Sequence, residues 1–528
     1  MNARTLLTLL ALVAIVGGCV PIVATISATP SVARAARATA TPPPSATPTP
    51  QPSVTPTPTL PPEVAVQAPA LLPAAVGDLA GASAWDRYTI IAALNPSDLS
   101  VRGTVTLDMR NRYGVDLDQL YFHLYPNHPD FGGRLDVTSA SVNDVPVTSD
   151  TLHNDTLLRL TLPAPLRPGQ SAHVVLEFSA KTTKNASSKT FGASNFEAGV
   201  WSMANFYPIL ARHFADSGWD TRQVDSRGDF AVSSVALYDV TIDAPNGWTL
   251  VSTGVTIHDG PVNEQVHRQR FVSGPQREFY LGALQGLAQA ETLVDGTRIV
   301  SYFQPGSADG GTFGLEVATQ SLRAFNARYG TYPLAELEVV QSALTQFLGM
   351  EYPGVVLIEQ KLYTKPMGDL EPTIAHEIAH QWWYSQVGND AQGEAWLDEG
   401  LASYSQVVYD EAIGNPQRTE GELQFFRNIF ITARAVGHDA PLNSSPADLG
   451  NGRYYPVIYA KAPLFFHALR RQLGETGFDR FIHAYYAAFR YQDVAGPDML
   501  RVAQQSCGCD LTKIYHDWVL TAAKVAIP

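Results

Sequence analysis

Apolar and polar positions along this chain keep one period up to about residue 311 and another after it. In the first part they alternate. Val101, Val105, Leu107 and Met109 fall on alternating positions, as do Leu120, Phe122 and Leu124, and residues 174–178, 235–242 and 298–303 read as further strands. Asn95-Pro96 and Pro245-Asn246-Gly247 are turn signals between them. Beyond residue 311 the spacing becomes helical: Leu315, Ala318, Leu322 and Phe325 share one face and Gly330 supplies a stop. Two short strands, 337–341 and 354–358, precede a mostly helical remainder. Its helices are expected around residues 376–380, with Ile378, Ala379, Trp382 and Trp383 as their buried helical flank, around Glu399, and over 420–436, 459–473, 478–490 and 511–523. The pattern predicts an α+β multidomain chain, with a β-sandwich-like domain over 85–303 and a mostly helical domain over 304–528.

The first 84 residues follow neither period. Arg4 precedes an apolar run from Leu6 to Val16, too short to span a membrane and suited to the core of a signal peptide. The run closes on Val16-Gly17-Gly18-Cys19, which resembles a bacterial lipobox, so residues 1–19 are expected to be a signal and Cys19 its lipidated residue. An ordinary secretory signal is the alternative; both readings export the protein to the outer face of the cell membrane or beyond. Residues 20–84 are expected to be a disordered tether: ten of the residues from Thr41 to Pro62 are proline and most others are Thr or Ser. A formal charge of −14 argues against a nucleic-acid partner. Apart from Cys19 the only cysteines are Cys507 and Cys509, which are expected to be small buried residues without a bridge.

The chemistry concentrates in residues 372–404. His376 and His380 are four apart, a spacing that stacks two imidazoles on one helical face with Glu377 beside them. Two neutral imidazoles on one face can hold Zn²⁺, and the intervening Glu can take a proton from water activated by the metal. Eighteen residues separate His380 from Glu399, in the run Trp396-Leu397-Asp398-Glu399-Gly400. A third ligand from Glu399 leaves one coordination position open, which distinguishes a catalytic from a structural zinc site. A Glu buried between two buried His is costly without a metal or another partner. The five histidines His123, His128, His153, His173 and His213 lack such spacing and read as ordinary side chains.

H-E-I-A-H-Q-W-W followed by W-L-D-E-G-L-A resembles the aminopeptidase N-like family of gluzincin zinc peptidases. Gly349-Met350-Glu351-Tyr352 is similar to that family's G-x-M-E-N motif, and Tyr459-Ala460-Lys461-Ala462 to its Y-x-K-G segment. The resemblance runs from about residue 86 to the C-terminus. It implies an N-terminal β domain, a thermolysin-like catalytic domain, and zinc on His376, His380 and Glu399. It further implies Glu377 as general base, Tyr459 as donor to the oxyanion in preference to the neighbouring Tyr454 and Tyr455, and Gly349, Met350 and Glu351 as the binding site for a substrate's N-terminal residue. The large C-terminal helical domain of many members is expected to be absent. Two departures stand out, Tyr352 for the motif's Asn and Ala462 for its Gly. The expectation is an exported zinc aminopeptidase acting on peptides with free N-termini. An endopeptidase or other amide hydrolase, and a non-catalytic peptide-binding lipoprotein, are the alternatives.

Overall fold

Every second side chain of Asp86–Asn95 and of Ser171–Lys181 turns inward, as alternation in a half-buried strand requires. A computed structural model of the chain describes residues 60–184, 191–365 and 367–528. Its largest sheet has eight strands in the spatial order Val255–Pro261, Val266–Gln276, Ala236–Pro245, Asp86–Asn95, Ser100–Arg110, Ser171–Lys181, Arg134–Val142 and Val145–Pro146. Only the contact between Asp86–Asn95 and Ala236–Pro245 is parallel within it. Ile90, Val105, Val174 and Val240 from this sheet share one core with Leu120, Phe122 and Leu160 from a four-stranded sheet. The predicted β-sandwich-like layer is thus formed by these two sheets together with a five-stranded one (Thr249–Ser252, Leu281–Leu284, Val200–Met203, Ser194–Glu197, Thr183–Lys184), whose Trp201, Val251 and Leu281 enter the same apolar interior.

Residues 298–303, expected in that layer, belong elsewhere. Thr297–Phe303 is the second strand of a five-stranded sheet ordered Ala288–Val294, Thr297–Phe303, Glu336–Ser342, Val355–Glu359 and Gly349–Met350. It pairs in parallel with Glu336–Ser342 across helix α1, Ala308–Arg328, and a parallel pair needs such a crossover. The boundary drawn at 303/304 therefore falls inside one sheet. Six further long helices complete this lobe: α2 (Leu370–Ala379), α3 (Asp398–Ala412), α4 (Pro416–Ala435), α5 (Pro446–Pro456), α6 (Ala462–Leu473) and α7 (Glu475–Phe489), followed by α8 (Gly496–Cys507). Leu322 and Phe325 of α1, Ile374 and Ile378 of α2 and Leu401 and Val408 of α3 meet in its core.

Four other expectations need correction. Residues 60–84 are not tether but a strap of short turns, in which Val64, Leu71, Ala75 and Leu79 enter the core of the helical lobe. Gln67 bonds to both Tyr238 O and Gly274 N at 3.0 Å, and Asp78 accepts from Arg490 at 2.6 Å and Tyr491 at 3.1 Å. A few well-spaced apolar residues bury there despite the Pro-rich composition. The signal, Cys19 and the tether over 20–59 lie outside the described residues. Helix α2 stops at Ala379, so Trp382 and Trp383 are buried in a turn, which aims their indole N–H groups at Gly330 O (2.8 Å) and Ser405 Oγ (3.3 Å). The last helical stretch ends at Leu520 rather than 523. Cys507 and Cys509 are bridged, Cys509 is exposed, and Gly508 between them turns the chain at φ 63°, a left-handed conformation that glycine adopts without strain.

His123 is buried at the end of its strand and stacked on Tyr125, ring centroids 4.8 Å apart. Burial pushes its pKa down from 6.5 to about 4, against the pull of Asp220. The unfolded chain therefore binds the proton first as pH falls through this window, and stability present above about 6.5 drains away toward 4, by roughly 3 kcal/mol at most. His123→Phe keeps the stack and removes the titration. Urea unfolding at pH 7 and pH 5 is expected to show a smaller acid loss in this variant than in the parent; an equal loss refutes the assignment.

Candidate active site

Helix α2 presents His376 in its last turn and His380 as its C-terminal cap, and α3 begins at Asp398-Glu399. Gly400, next to Glu399, packs so close to Ala462 that a Cβ there would overlap it, which brings α3 against α6. The result is a convergence of three donor atoms. His376 Nε2 lies 3.1 Å from Glu399 Oε2 and 3.1 Å from His380 Nε2, and His380 Nε2 lies 3.4 Å from Glu399 Oε2. His380 Nδ1 is committed to the Trp383 carbonyl at 2.9 Å, which fixes the tautomer and leaves Nε2 as the free lone pair. Asp398, whose role the sequence leaves open, takes the Glu399 backbone N–H at 2.9 Å.

The electrostatics fit a divalent cation at this point. Burial alone would lower the pKa of His380, yet the carboxylates of Glu351, Glu399 and Glu377 push it well up. Burial would raise Glu399, but the imidazoles of His376 and His380 beside it hold it well below the carboxylate range. The pocket thus demands positive charge where two imidazoles and one carboxylate meet, and that donor set suits zinc with one position open.

Glu377 is buried and its Oε2 has no hydrogen-bond partner among the described residues. Burial first, then the charges of Glu399 and Asp229, push its carboxyl up to about 8 against the pull of His380, where a carboxylate is a useful proton acceptor. What Gly349 accommodates is this side chain: a Cβ at 349 would overlap the Glu377 carboxylate. Moving the end of a Glu is cheap for folding but displaces the base. Gly349→Ala is expected to retain metal and fold while kcat falls about 10²-fold; a normal kcat would detach Gly349 from the positioning of Glu377.

Tyr459 sits in a π-turn, Val457–Lys461, and its hydroxyl donates to Glu399 Oε1. Tyr454 and Tyr455 also line the cleft, with rings 5.9 and 5.4 Å from that of Tyr459, but Tyr459 is the one hydrogen-bonded to the Glu399 carboxylate. Buried Lys461 holds the turn through Asp439 at 2.8 Å and Ala440 O at 2.6 Å.

Gly349–Met350 is the outer strand of its sheet, bordering the cleft. Glu351 follows, buried, with a carboxylate oxygen within 4.8 Å of donor atoms of Glu377 and His380. Burial pushes its carboxyl up to about 8. Tyr352, the departure from the motif, packs away from the site: its ring stacks on Tyr280 at 4.5 Å, and Gln381 Nε2 holds its carbonyl at 3.2 Å. The substitution therefore serves packing and leaves Glu351 in the cleft. Sequence reasoning missed Asp229, whose carboxyl faces that of Glu351 and is pushed well up by burial and by the Glu351 and Glu399 charges. It comes from an irregular segment, 220–235, with no motif or periodicity to mark it.

Residues 313–518 match the model of the peptidase family M1 domain. Aminopeptidase M1-B of Oryza sativa subsp. japonica is 24% identical over 301 residues, 54% of this chain and 34% of that one. Aminopeptidase N of Lactococcus lactis subsp. lactis is 23% identical over 308 residues, 54% of this chain and 36% of its own. The chain spans about a third of the length of these curated relatives. The crystal structure of an M1 zinc metallopeptidase from Deinococcus radiodurans superposes with a TM-score of 0.64 at 20% identity, covering 84% of this chain and 95% of that one.

Proposed function

We propose that this chain, an aminopeptidase N-like gluzincin by the peptidase family M1 domain at residues 313–518, hydrolyses the first peptide bond of peptides that carry a free N-terminus. His376, His380 and Glu399 would hold the zinc ion, which when bound supplies Lewis acidity, polarising a carbonyl oxygen and acidifying water. The rest is the work of side chains. Glu377 accepts the proton of the attacking water as its oxygen bonds to the carbonyl carbon, and returns it to the nitrogen as the C–N bond breaks. Tyr459 donates its hydroxyl hydrogen toward the oxyanion. The outer strand Gly349–Met350 offers backbone groups to an extended substrate.

One observation supports the exopeptidase reading above others. Buried Glu351 and half-buried Asp229, whose Oδ2 is itself out of solvent, form a pair of carboxyls beside the zinc ligands, each with its pKa raised, and a substrate's α-ammonium group would pair with them. The full chain with zinc should remove one residue at a time from a free peptide and leave the N-acetylated form intact. Glu351→Gln should lower kcat/KM on the free peptide by about 30- to 100-fold. Equal internal cleavage of both forms would replace this reading with an endopeptidase, and no cleavage with a binding protein.

Export and lipid anchoring through Cys19 belong to the same proposal, supported by the apolar run from Leu6 and the residues before Cys19. Radiolabelled fatty acid incorporated into the parent but not into Cys19→Ser is the expected result; a soluble, unlabelled parent would remove the anchor.

A further inference from the structure

His380 is a zinc ligand that its own helix does not fix. It caps α2, which stops at Ala379, and its ring is oriented by the bond between Nδ1 and the Trp383 carbonyl at 2.9 Å. That carbonyl belongs to the peptide unit shared with Tyr384, and Tyr384 holds φ 129°. A bulky L residue rarely adopts such a backbone, which persists only where the surroundings over-determine it. Two bonds within the turn, Tyr384 N to Val387 O and Val387 N to Trp382 O, both at 2.9 Å, close the loop. The carbonyl and the side chain of Tyr384 are held from the β layer instead.

Arg277 directly follows the strand Val266–Gln276 of the largest sheet and is 2% exposed. Its Nε donates to Tyr384 O at 2.6 Å, its Nη2 to Gln492 O at 2.6 Å, and its Nη1 to Ser233 O at 3.1 Å and to the Asp493 carboxylate. Gly388, just past the turn, packs so tightly on the guanidinium that a Cβ there would overlap it. Next along the chain, Glu278 accepts the Tyr384 hydroxyl. A guanidinium presents its donors in one rigid plane, so it grips the Tyr384 and Gln492 carbonyls together, which an ammonium group does not reproduce.

We propose that Arg277 is a positioning residue for the zinc ligand His380: by fixing the Tyr384 carbonyl it holds the strained turn that aims the Trp383 carbonyl at His380 Nδ1. The inference rests on His376, His380 and Glu399 being the zinc ligands. Arg212 supplies the comparison. It reaches the same Asp493 carboxylate at 3.3 Å and Asn389 O at 3.1 Å, and among the described residues it makes no hydrogen bond to Tyr384.

The full chain, stripped of metal and titrated with zinc against a chromogenic chelator, tests this. Arg277→Met should weaken zinc binding about 10- to 100-fold, and Arg277→Lys should restore part of that loss. Arg212→Met should bind zinc as the parent does. With Co²⁺ in place of zinc, the visible absorption bands, which report ligand geometry, should shift in Arg277→Met and not in Arg212→Met. Gly388→Ala, which displaces the guanidinium but keeps it, should reproduce the Arg277→Met loss, and it decides the matter if circular dichroism finds Arg277→Met unfolded. The parent's zinc affinity and Co²⁺ spectrum in a folded Arg277→Met or Gly388→Ala overturn the proposal. Equal weakening in Arg212→Met also overturns it, because any break between the two lobes would then suffice. A parent chain that binds no zinc overturns the ligand assignment itself. Peptide turnover is not read, so these outcomes stand apart from those of the aminopeptidase test.

Discussion

Glu377→Gln should lower kcat about 10³-fold or more while zinc remains bound at one per chain. The substitution keeps the shape of a buried side chain and removes only its capacity to take a proton. Its Oε2 has no hydrogen-bond partner to lose among the described residues, and its carboxyl is held up to about 8 by burial. Stability should therefore not suffer. Burying a neutral amide in place of a group whose charge is penalised costs nothing on that account. Single-turnover rates, zinc content and thermal unfolding together check this. A variant that turns over peptide at the parent's rate would sink the proton-transfer role, and one that loses zinc would mean Glu377 holds the metal instead.

Glu399→Ala should abolish turnover by a different route, loss of the metal. Glu399 faces three groups at once, the Nε2 atoms of His376 and His380 and the Tyr459 hydroxyl that donates to it. Its removal leaves two imidazoles facing each other at 3.1 Å with no anionic donor. Zinc affinity should drop by at least about 10²-fold. Added zinc should raise the melting temperature of the parent and not that of the variant, because a ligand stabilises only the state that binds it. Retention of stoichiometric zinc by dialysed Glu399→Ala would show that the second carboxylate group, Glu351 with Glu377 and His380, is the true metal site.

How far the sequence reached depends on whether an interaction is local. His376, Glu377 and His380 are legible because four residues of helix place them together whatever surrounds them. Glu399 and Tyr459 follow from flanking runs that resemble a family's. In the first sheet Ser100–Arg110, Ser171–Lys181 and Ala236–Pro245 are legible because apolar residues recur at every second position along much of each, whereas Arg134–Val142 and Val266–Gln276 alternate less regularly and are not anticipated. Asp229 carries no such mark. It reaches Glu351 through a segment without secondary structure, 122 residues earlier in the chain, and only the folded backbone brings the two carboxyls together. The same holds for 298–303: its apolar residues promise a strand, but which sheet it joins depends on helix α1 carrying the chain back to Glu336–Ser342. Tyr352, a departure from the motif in sequence, is explained only by the fold: its stacking partner, Tyr280, comes from 72 residues earlier in the chain. The Cys507–Cys509 bridge spans a left-handed Gly508, a conformation that the spacing alone does not announce.

The strap over residues 60–84 changes where this molecule can be cut. Composition invites a truncation at Trp85, where the strands begin, but such a cut would expose Leu237, Val294 and Leu334, which share a core with the strap's Val64, Leu71 and Leu79. It would also strip Tyr238 O of the Gln67 amide and the Arg490 guanidinium of Asp78. Those partners belong to both halves of the chain, so the strap acts as a staple whose loss loosens the walls on either side of the cleft. Trimming the N-terminal region back to Leu60 is expected to leave these contacts and turnover unchanged, and a nick within the strap to lower turnover, so survival of activity after limited digestion reports on which side of Leu60 the cut was made.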